Sequence, residues 1–536
     1  PIRIIYSPSH PVAINRSGEL RVVVGYEDSN VTPEQDFELY YTVSPEAIGL
    51  NLLTYKEAGE DGFFLLLLTP GIETANSVVA KDVILVLDTS GSMEGTKLAQ
   101  AQEAAAYVVE HLNAEDRFNI VSFSTGTNRY ERDLVPAAEA GEFKQFINSL
   151  DAVGGTNISE ALLEAAALVD GERPATIIFL TDGLATEGIN DTPLLIEAMS
   201  AQMPKNARIF AFGVGNDVDT MLLDTLAQNH RGVTTYVRPG QAIDEAVSGF
   251  YAKIGSPVLT DISLETGDVR TSQIYPVQLP DLFAGSQLVV AGRYRGGGSE
   301  TIELQGLVNG EEQVFRFPEQ RFLDDAPAQA GGGEAFIPRL WATRAIGHMM
   351  QQIRLHGDDE ELVQSIVNLS TRYGIITPYT SFLIEEDDIA RIGSAQTGEE
   401  PALMIEAEES LAVPTQVSGE KAVDRAAMEA ELAAAEAPLL SLSPELEAKS
   451  TGDGQPPVVS AGSKTFFLQN GILVDSAFDP ASGEPQAVPF ASADYFDLLN
   501  EWPEAGEYLA LGEEILVVLG GQAYRITASE EEPELK

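Results

Sequence analysis

Three short motifs in the first half of the chain carry oxygen-bearing side chains of the kind that bind metal ions. They are residues 88–92 (DTSGS), residues 154–157 (GGTN) and residues 181–183 (TDG). Hydroxyl and carboxylate oxygens are the donors that hard divalent cations such as Mg²⁺ prefer, at roughly 2.0–2.1 Å. The motifs therefore predict a cation site, provided that the fold brings the three loops together.

The predicted metal ligands within these motifs are Asp88, Ser90, Ser92, Thr156 and Asp182. The two serines and the threonine offer neutral hydroxyls, and the two aspartates supply negative charge directly or through bound water. Mg²⁺ is the expected ion, with Ca²⁺ or Mn²⁺ as alternatives. Because two carboxylates leave such an ion under-neutralised, its open position should attract a carboxylate or a sulfate from outside.

The elements around the motifs are predicted to place them at one edge of a sheet. Residues 82–88 (DVILVLD) form a continuous apolar run, which is typical of a strand buried on both faces of a parallel sheet. Strands and helices then alternate up to residue 254, which predicts a doubly wound, Rossmann-like α/β domain over residues 78–255. The motifs lie in loops at the carboxyl edge of this sheet, where open α/β folds bind their ligands.

Short β-rich runs flank the α/β domain on both sides. They lie within residues 1–77 and 256–330 and are separated by Gly, Pro, Asn and Asp, which predicts strands. Neither flank alone has many strands, so the simplest packing joins both into one β-sandwich with the α/β domain inserted. The predicted fold class is therefore α/β plus β.

The composition and the hydrophobic pattern of the sequence change twice in the last third of the chain. Residues 331–390 are predicted to form a helical segment and a closing strand, because apolar residues recur at near-helical spacing. Residues 391–462 are rich in Glu, Ala, Pro, Ser and Gly, which predicts an acidic linker with at most one helix near residues 422–435. Two hairpin signals predict a small α+β module over residues 463–528, followed by an acidic tail at 529–536.

The composition excludes several classes of function. The formal net charge is -51, from 83 acidic and 32 basic residues, and such a surface repels phosphate backbones, so no nucleic-acid partner is expected. The sequence has no apolar run of about eighteen residues, so no transmembrane segment is expected. Cysteine is absent, which rules out disulfides and thiol chemistry without fixing the compartment.

Asp88, Ser90, Ser92, Thr156 and Asp182 match, position by position, the metal-ion-dependent adhesion site of von Willebrand factor type A domains, such as those of integrins. Residues 80–255 resemble that fold throughout. The resemblance implies a metal-dependent binding domain with a single metal, because the paired aspartates that serve a second metal in integrin β subunits are missing after Ser92.

A wider resemblance covers residues 1–390. Residues 7–10 (SPSH), 61–64 (DGFF), 340–342 (LWA) and 373–381 (YGIITPYTS) are similar to inter-alpha-trypsin inhibitor heavy chains and their bacterial relatives. In that family an additional β domain, the VIT domain, precedes the part seen here. The C-terminal ester linkage of the heavy chains to a glycosaminoglycan does not carry over, because the chain lacks the Asp-Pro-His-Phe sequence.

Other interpretations of the same residues compete with the metal site. Asp88 and the serines could cap a helix, but a cap does not account for the distant Thr156 and Asp182. A phosphate-binding loop fails because the glycine spacing is one residue short. The five histidines form no zinc signature, and no nucleophile elbow accompanies any serine, so an enzyme is not expected.

Two functions of different classes follow. The leading hypothesis is a secreted or cell-surface protein of bacterial origin that binds an acidic group of a protein or polysaccharide through the metal. The alternative is a structural subunit of an extracellular filament, sheath or surface layer, motivated by the acidic composition and by a long linker that could wrap a neighbouring subunit. Self-association at the metal would reconcile the two.

Overall fold

The structure is a computed structural model that describes most of the chain. The described residues are 2–7, 10, 12–16, 20–26, 37, 39–43, 47–57, 60–71, 79–284, 286–308, 310–324, 332–357, 359–375, 377–379, 416–437, 458–461, 464–469, 471–478, 485–502 and 505–528. The closing strand expected before residue 390 and the acidic tail at 529–536 lie outside these residues.

The strands described ahead of the α/β domain include two long ones that form the centre of a sheet. In chain order they are β1 Ile2–Tyr6, β2 Ala13–Arg16, β3 Val22–Gly25, β4 Tyr40–Val43, β5 Ile48–Lys56 and β6 Gly62–Pro70. Every residue of β6 is buried, and its side chains alternate between two hydrophobic cores. A strand covered on both faces needs an apolar residue at every position, which explains the run of residues 63–68 (FFLLLL).

The α/β domain, described without a gap from residue 79 to residue 255, has a seven-stranded sheet. Its strands β7, β8, β11, β12 and β13 run parallel, and β9 and β10 pair antiparallel with β8. The strands are β7 Asp82–Asp88, β8 Arg117–Phe123, β9 Thr127–Arg129, β10 Val135–Pro136, β11 Ala175–Thr181, β12 Ala207–Val214 and β13 Thr234–Val237.

Helices cover both faces of this sheet, as a doubly wound fold requires. They are α1 Thr96–Glu110, α2 Phe143–Asn148, α3 Ile158–Leu168, α4 Thr192–Gln202, α5 Thr220–Asn229 and α6 Ile243–Ile254. Buried residues of α3, α4 and α5 share one core with the sheet, and those of α1, α2 and α6 share the other. The predicted Rossmann-like fold is therefore confirmed.

The β-sandwich combines strands from both sides of the α/β domain, as predicted. The later strands are β14 Pro257–Glu265, β15 Arg270–Tyr275, β16 Leu282–Phe283, β17 Leu288–Arg295, β18 Gly298–Val308, β19 Glu311–Phe322 and β20 Gly332–Gly333. Within the described residues, one sheet has the order β15-β17-β6-β5-β20 and the other β16-β14-β18-β19. Apolar side chains of both sheets meet in one core.

Helices pack on the other face of the sheet that contains β6. They are α7 Ile337–His356, α8 Glu360–Tyr373 and α9 Glu420–Ala434, and they share a core with β6 and β17. The helix α9 lies within the stretch of residues 391–462 that was predicted to be an acidic linker with at most one helix near residues 422–435. This helix packs along α7 and carries buried side chains in two cores of the protein.

The C-terminal module is a mixed sheet with two helices, in agreement with the predicted α+β class. Its elements are β21 Val458–Ala461, β22 Lys464–Gln469, β23 Ile472–Asp475, β24 Gln486–Pro489, α10 Ala493–Glu501, α11 Ala505–Leu509, β25 Ile515–Leu519 and β26 Gln522–Thr527. Among the described residues the strand order is β21-β22-β23-β25-β26-β24. Strand β21 therefore starts inside the stretch that the composition assigned to the linker.

Candidate metal centre

Two of the three motifs leave the sheet at the ends of adjacent strands. Asp88 is the last residue of β7, Thr181 is the last residue of β11, and the two strands pair in parallel up to Leu87 and Leu180. Thr156 lies two residues before α3. The parallel register thus places the ends of both strands, and the loops that follow them, at one edge of the sheet.

Backbone hydrogen bonds tie the first two loops together. The amide of Gly91 donates to the carbonyl of Gly154 (3.1 Å), and the amide of Val153 donates to the carbonyl of Thr89 (2.9 Å). Gly154 has a φ of +85°, a conformation that favours glycine. The loops are therefore held in position by their own main chain before any ligand binds.

Side-chain oxygens from the three loops converge beside Gly183. Ser90 Oγ and Ser92 Oγ lie 3.1 Å apart, and Ser92 Oγ donates to Asp182 Oδ1 at 2.6 Å. A methyl group placed on Gly183 would lie 3.8 Å from Thr156 Oγ1 and 3.9 Å from Ser92 Oγ. The five predicted ligand residues thus come together, whereas Ser90 makes no side-chain capping bond to the short helix that follows it.

Asp88 is buried and organises the first loop. Its Oδ1 accepts the amide of Ser90 at 2.8 Å, and its Oδ2 accepts the hydroxyl of Thr181 at 2.6 Å. Burial raises the pKa of Asp88, while the hydrogen bonds from Thr181 and Ser90 act in the opposite direction. The carboxylate therefore fixes the turn between β7 and the serines.

Asp182 is also buried, and it has a cationic partner. Lys97, in the first turn of α1, donates to Asp182 Oδ2 at 2.6 Å, and its side chain is 41% exposed while that of Asp182 is 0% exposed. The lysine holds the carboxylate in one orientation. The other carboxylate oxygen, Oδ1, faces Ser92 and the site.

The donor set fits a small divalent cation. Two ligands in adjacent octahedral positions around Mg²⁺ lie roughly 2.8–3.0 Å apart, as follows from bond lengths of roughly 2.0–2.1 Å, and Ser90 Oγ and Ser92 Oγ are 3.1 Å apart. The donors are all oxygens. No cluster of three or more His, Cys, Asp or Glu side chains occurs among the described residues, so this hydroxyl-rich site differs from an ordinary carboxylate or imidazole cage.

Thr181 and Lys97 were not among the predicted site residues. Thr181 directly precedes a predicted ligand, and its hydroxyl could have been suspected because a hydroxyl at a buried strand end needs a partner. Lys97 gives no such local signal. Its contact with Asp182 spans 85 residues and depends on where α1 starts relative to β11.

Comparison with known proteins identifies the domain. Residues 81–236 match the von Willebrand factor type A domain family. The chain is 28% identical over 358 residues to inter-alpha-trypsin inhibitor heavy chain H4 of Homo sapiens, covering 61% of this chain and 37% of that protein. Heavy chain H2 of Sus scrofa is 26% identical over 363 residues, covering 62% and 38%. The chain thus matches less than two fifths of the length of these relatives.

Among solved structures, the chain is similar to a von Willebrand factor type A protein from Catenulispora acidiphila. That match has 16% sequence identity and a TM-score of 0.45, and it covers 60% of this chain and 86% of the other. The match to the family model and the matches to the two heavy chains confirm the resemblance named from the sequence.

Proposed function

Because this chain carries a von Willebrand factor type A domain, we propose that it is a metal-dependent binding protein. Asp88, Ser90, Ser92, Thr156 and Asp182 would hold Mg²⁺, with Ca²⁺ or Mn²⁺ as substitutes. The ion would supply a coordination position for an acidic group of a protein or polysaccharide. We place the protein outside the cell or at the bacterial surface.

The observation that carries the proposal is the convergence of side-chain oxygens from three separate loops. The Ser90 and Ser92 hydroxyls lie 3.1 Å apart, and Ser92 lies 2.6 Å from Asp182. The strands and helices that flank these loops are fixed by the rest of the fold, and they in turn fix the positions of the loops. A cation would replace the present hydrogen bonds among hydroxyls and carboxylates with metal–oxygen bonds.

The charges at the site favour an anionic ligand. Asp88 and Asp182 contribute −2 when ionised and Lys97 contributes +1, so the side chains sum to −1. A divalent ion would turn this into +1 in a largely buried setting, where Coulomb attraction is stronger than in water. An outside carboxylate would neutralise the remaining charge.

We propose binding rather than catalysis for the same site. Both carboxylates already accept hydrogen bonds, Asp88 from Ser90 and Thr181 and Asp182 from Ser92 and Lys97. These bonds fix the orientation of both carboxylates, as groups that hold or orient an ion require. The site thus has the parts for holding a ligand.

The alternative of a structural subunit stays a prediction. It rests partly on the predicted linker of residues 391–462, of which the helix α9 packs within its own chain. Self-association through the metal remains a prediction that light scattering with Mg²⁺ and with chelator would test. As for the membrane, none of the described helices combines the length and apolar character needed to cross one.

Calorimetric titration with Mg²⁺ tests the proposal directly. Ser92→Ala and Thr156→Ala should each weaken Mg²⁺ binding about tenfold or more, by analogy with losses seen for groups that orient a metal. Ser200→Ala, an exposed serine on α4, is the matched control and should bind as the wild type does. The absence of saturable Mg²⁺, Mn²⁺ or Ca²⁺ binding to the wild type would refute the proposal.

A further inference from the structure

A large cavity lies where the α/β domain, the β-sandwich and the helices α7 and α9 meet. Its volume is about 1330 Å³, and its walls come from α5 and β13, from residues 276–281 between β15 and β16, and from α7 and α9. We call it the junction cavity. It is larger than the clefts of roughly 300–1,000 Å³ that ordinarily hold small molecules, and ligand sites occur preferentially between domains. Its size therefore suits several residues of a polymer.

One wall of the junction cavity is the free edge of a sheet. The strand order of the α/β sheet ends at β13, which within the described residues pairs with β12 alone. The carbonyl of Val233 accepts the amide of Ala211 on β12 at 3.1 Å. Main-chain groups alternate in direction along a strand, so those of Thr234 and Tyr236 point away from β12. None of the described residues forms a hydrogen bond with these outward groups, and such an edge is a template for pairing with another chain.

The helix α9 faces this edge across the junction cavity with small side chains. The α9 residues that line the cavity are mostly alanines, among them Ala427, Ala430 and Ala434. Arg238, directly after β13, pairs with Asp424 of α9 at 3.4 Å, so the helix is held beside the end of the strand. Because alanine ends at Cβ, no long side chain from these positions fills the space in front of the sheet edge.

Six primary amides also line the junction cavity. An amide side chain offers two donors and one acceptor, so it can bond to both the N–H and the C=O of a peptide. None of the six forms a side-chain hydrogen bond with another described residue, and in chain order they are Gln228, Asn229, Gln278, Gln287, Gln351 and Gln352. On β13, the buried hydroxyl of Thr234 likewise has no partner among the described residues, although buried polar groups are ordinarily hydrogen-bonded.

The charged side chains that line the junction cavity are paired or exposed. Arg344 donates to main-chain carbonyls at 2.7 Å, and Asp224 contacts Arg354. Asp281 accepts from Arg208 at 2.9 Å. The other charged lining residues are exposed and carry both signs: Arg231, Lys253, Glu431 and Glu436. A ligand of this cavity should therefore be uncharged, in contrast to the acidic ligand proposed for the metal centre.

We propose that the junction cavity binds an uncharged, extended peptide segment of another protein, which adds as a strand to the edge of β13. Its main chain pairs with the outward groups of Thr234 and Tyr236, and the amide side chains bind it from the other walls. Val233 and Val277, which line the cavity and are 50% and 62% exposed, contact its apolar side chains. Strand addition of this kind is a general mode of peptide recognition. The site is separate from the candidate metal centre and needs no metal.

Selection from a random peptide library displayed on phage tests the inference, with capture by the full chain in the presence of chelator. The selected peptides should be poor in charged residues, and the best synthetic peptide should bind equally well with Mg²⁺ and with chelator. Hydrogen exchange should slow at the amides of Thr234 and Tyr236 when this peptide is bound. Failure to select any peptide, or protection confined to other parts of the chain, would overturn the inference.

A bulky side chain in the junction cavity tests the location. Ala434 is exposed on α9 and lines the cavity, so Ala434→Trp should fold and should weaken the best peptide about tenfold or more by occupying its space. Ala167→Trp is the matched control, since Ala167 is an exposed alanine of α3 outside the cavity. Equal peptide affinities of the two variants would contradict the assignment.

A second pair of variants tests the pairing with the strand edge. Thr234→Pro removes the outward N–H without removing a bond to β12, because proline is tolerated on an edge strand where its nitrogen faces away from the ladder. It should weaken the peptide about twofold to tenfold, as expected for one hydrogen bond. Thr234→Val keeps the N–H and should bind the peptide as the wild type does. If both variants bind equally well, the peptide does not pair with this edge.

Two further measurements separate this inference from its competitors. Cellohexaose, a neutral oligosaccharide, should not bind; if it binds more tightly than the best peptide and Ala434→Trp abolishes its binding, the junction cavity is a carbohydrate site and the inference is overturned. Ser92→Ala, which alters the candidate metal centre, should bind the peptide as the wild type does. Loss of Mg²⁺ binding with intact peptide binding, or the reverse, therefore shows which of the two proposals fails.

Discussion

A buried ion network joins α9 to the rest of the protein. Arg354 of α7 donates from Nε to Glu429 Oε2 of α9 at 2.6 Å, and its NH2 group contacts Asp224 of α5. The side chains of Arg354 and Glu429 are 3% and 0% exposed. Burial opposes the charge on Arg354, but the carboxylates of Asp224 and Glu429 raise its pKa above the ordinary value.

Removing one carboxylate from this network should be costly. Glu429→Ala leaves the buried guanidinium of Arg354 with Asp224 alone, and breaking a buried pair in this way costs about 3–5 kcal/mol. Replacing all three charged groups, as Arg354→Met, Glu429→Leu and Asp224→Asn together, should cost clearly less, because no buried charge is then left without an ionic partner. An amide at position 224 can still accept the hydroxyl of Tyr236, which bonds Asp224 at 2.9 Å.

Urea unfolding measures these differences if one of the two tryptophans is removed. Trp341 lies on α7 in the same core as Leu432 of α9, so a Trp502→Phe background leaves a fluorescence probe of the relevant region. Hydrogen exchange of residues 420–434 would show whether α9 detaches before the remainder unfolds. A loss below about 1 kcal/mol for Glu429→Ala, or a triple variant worse than the single, would refute the reasoning.

Two further predictions concern stability in the α/β domain. Burial lowers the pKa of His230, whose Nε2 lacks a hydrogen-bond partner among the described residues. Below a pH of about 6.5 the unfolded chain therefore takes up a proton that the folded chain resists. The free energy of unfolding, measured with urea, should fall between pH 7.5 and pH 5.5, and it should fall less steeply in His230→Leu. A methyl group on Gly232 would lie 1.7 Å from the carbonyl oxygen of Ile209, whereas a methyl group on Gly249 of α6 would meet nothing within 4 Å. Thermal unfolding should therefore show that Gly232→Ala is destabilised by about 1–3 kcal/mol or more and that Gly249→Ala is slightly stabilised. Equal melting temperatures of the two variants would contradict this prediction.

The α/β domain was the most predictable part of the chain because its signals are local. The run of residues 83–87 (VILVL) is apolar at every position, and β7, which includes it, is buried at every position. The strand β5, Ile48–Lys56, was not predicted. Its four central residues are only partly buried and include Asn51, so neither strict alternation nor a continuous apolar run identifies it, and its pairing with β6 supplies the order.

The helix α9 was located approximately, but its environment was not predictable. Its sequence is rich in Ala and Glu, a composition that suits a solvated helix as well as a packed one. Glu429 is fully buried, whereas a glutamate in such a stretch is ordinarily assigned to the surface. Arg425, four residues earlier on α9, also pairs with this carboxylate at 2.9 Å, but the buried partner is Arg354, 75 residues earlier in the chain.

The candidate metal centre also depends on contacts between distant residues, yet the residues that meet there could be named from the sequence. Ser92 and Asp182 are 90 residues apart, and Asp88 and Thr181 are 93 apart. In a parallel sheet, strand order and register determine which loop ends are neighbours, so the pairing of β7 with β11 is sufficient to bring these residues together. No such register relates α7 to α9, because helices can pack in several rotations and offsets. Contacts at the edge of a parallel sheet can therefore be predicted from the sequence pattern of the strands, whereas contacts between helices can be identified only in the folded structure.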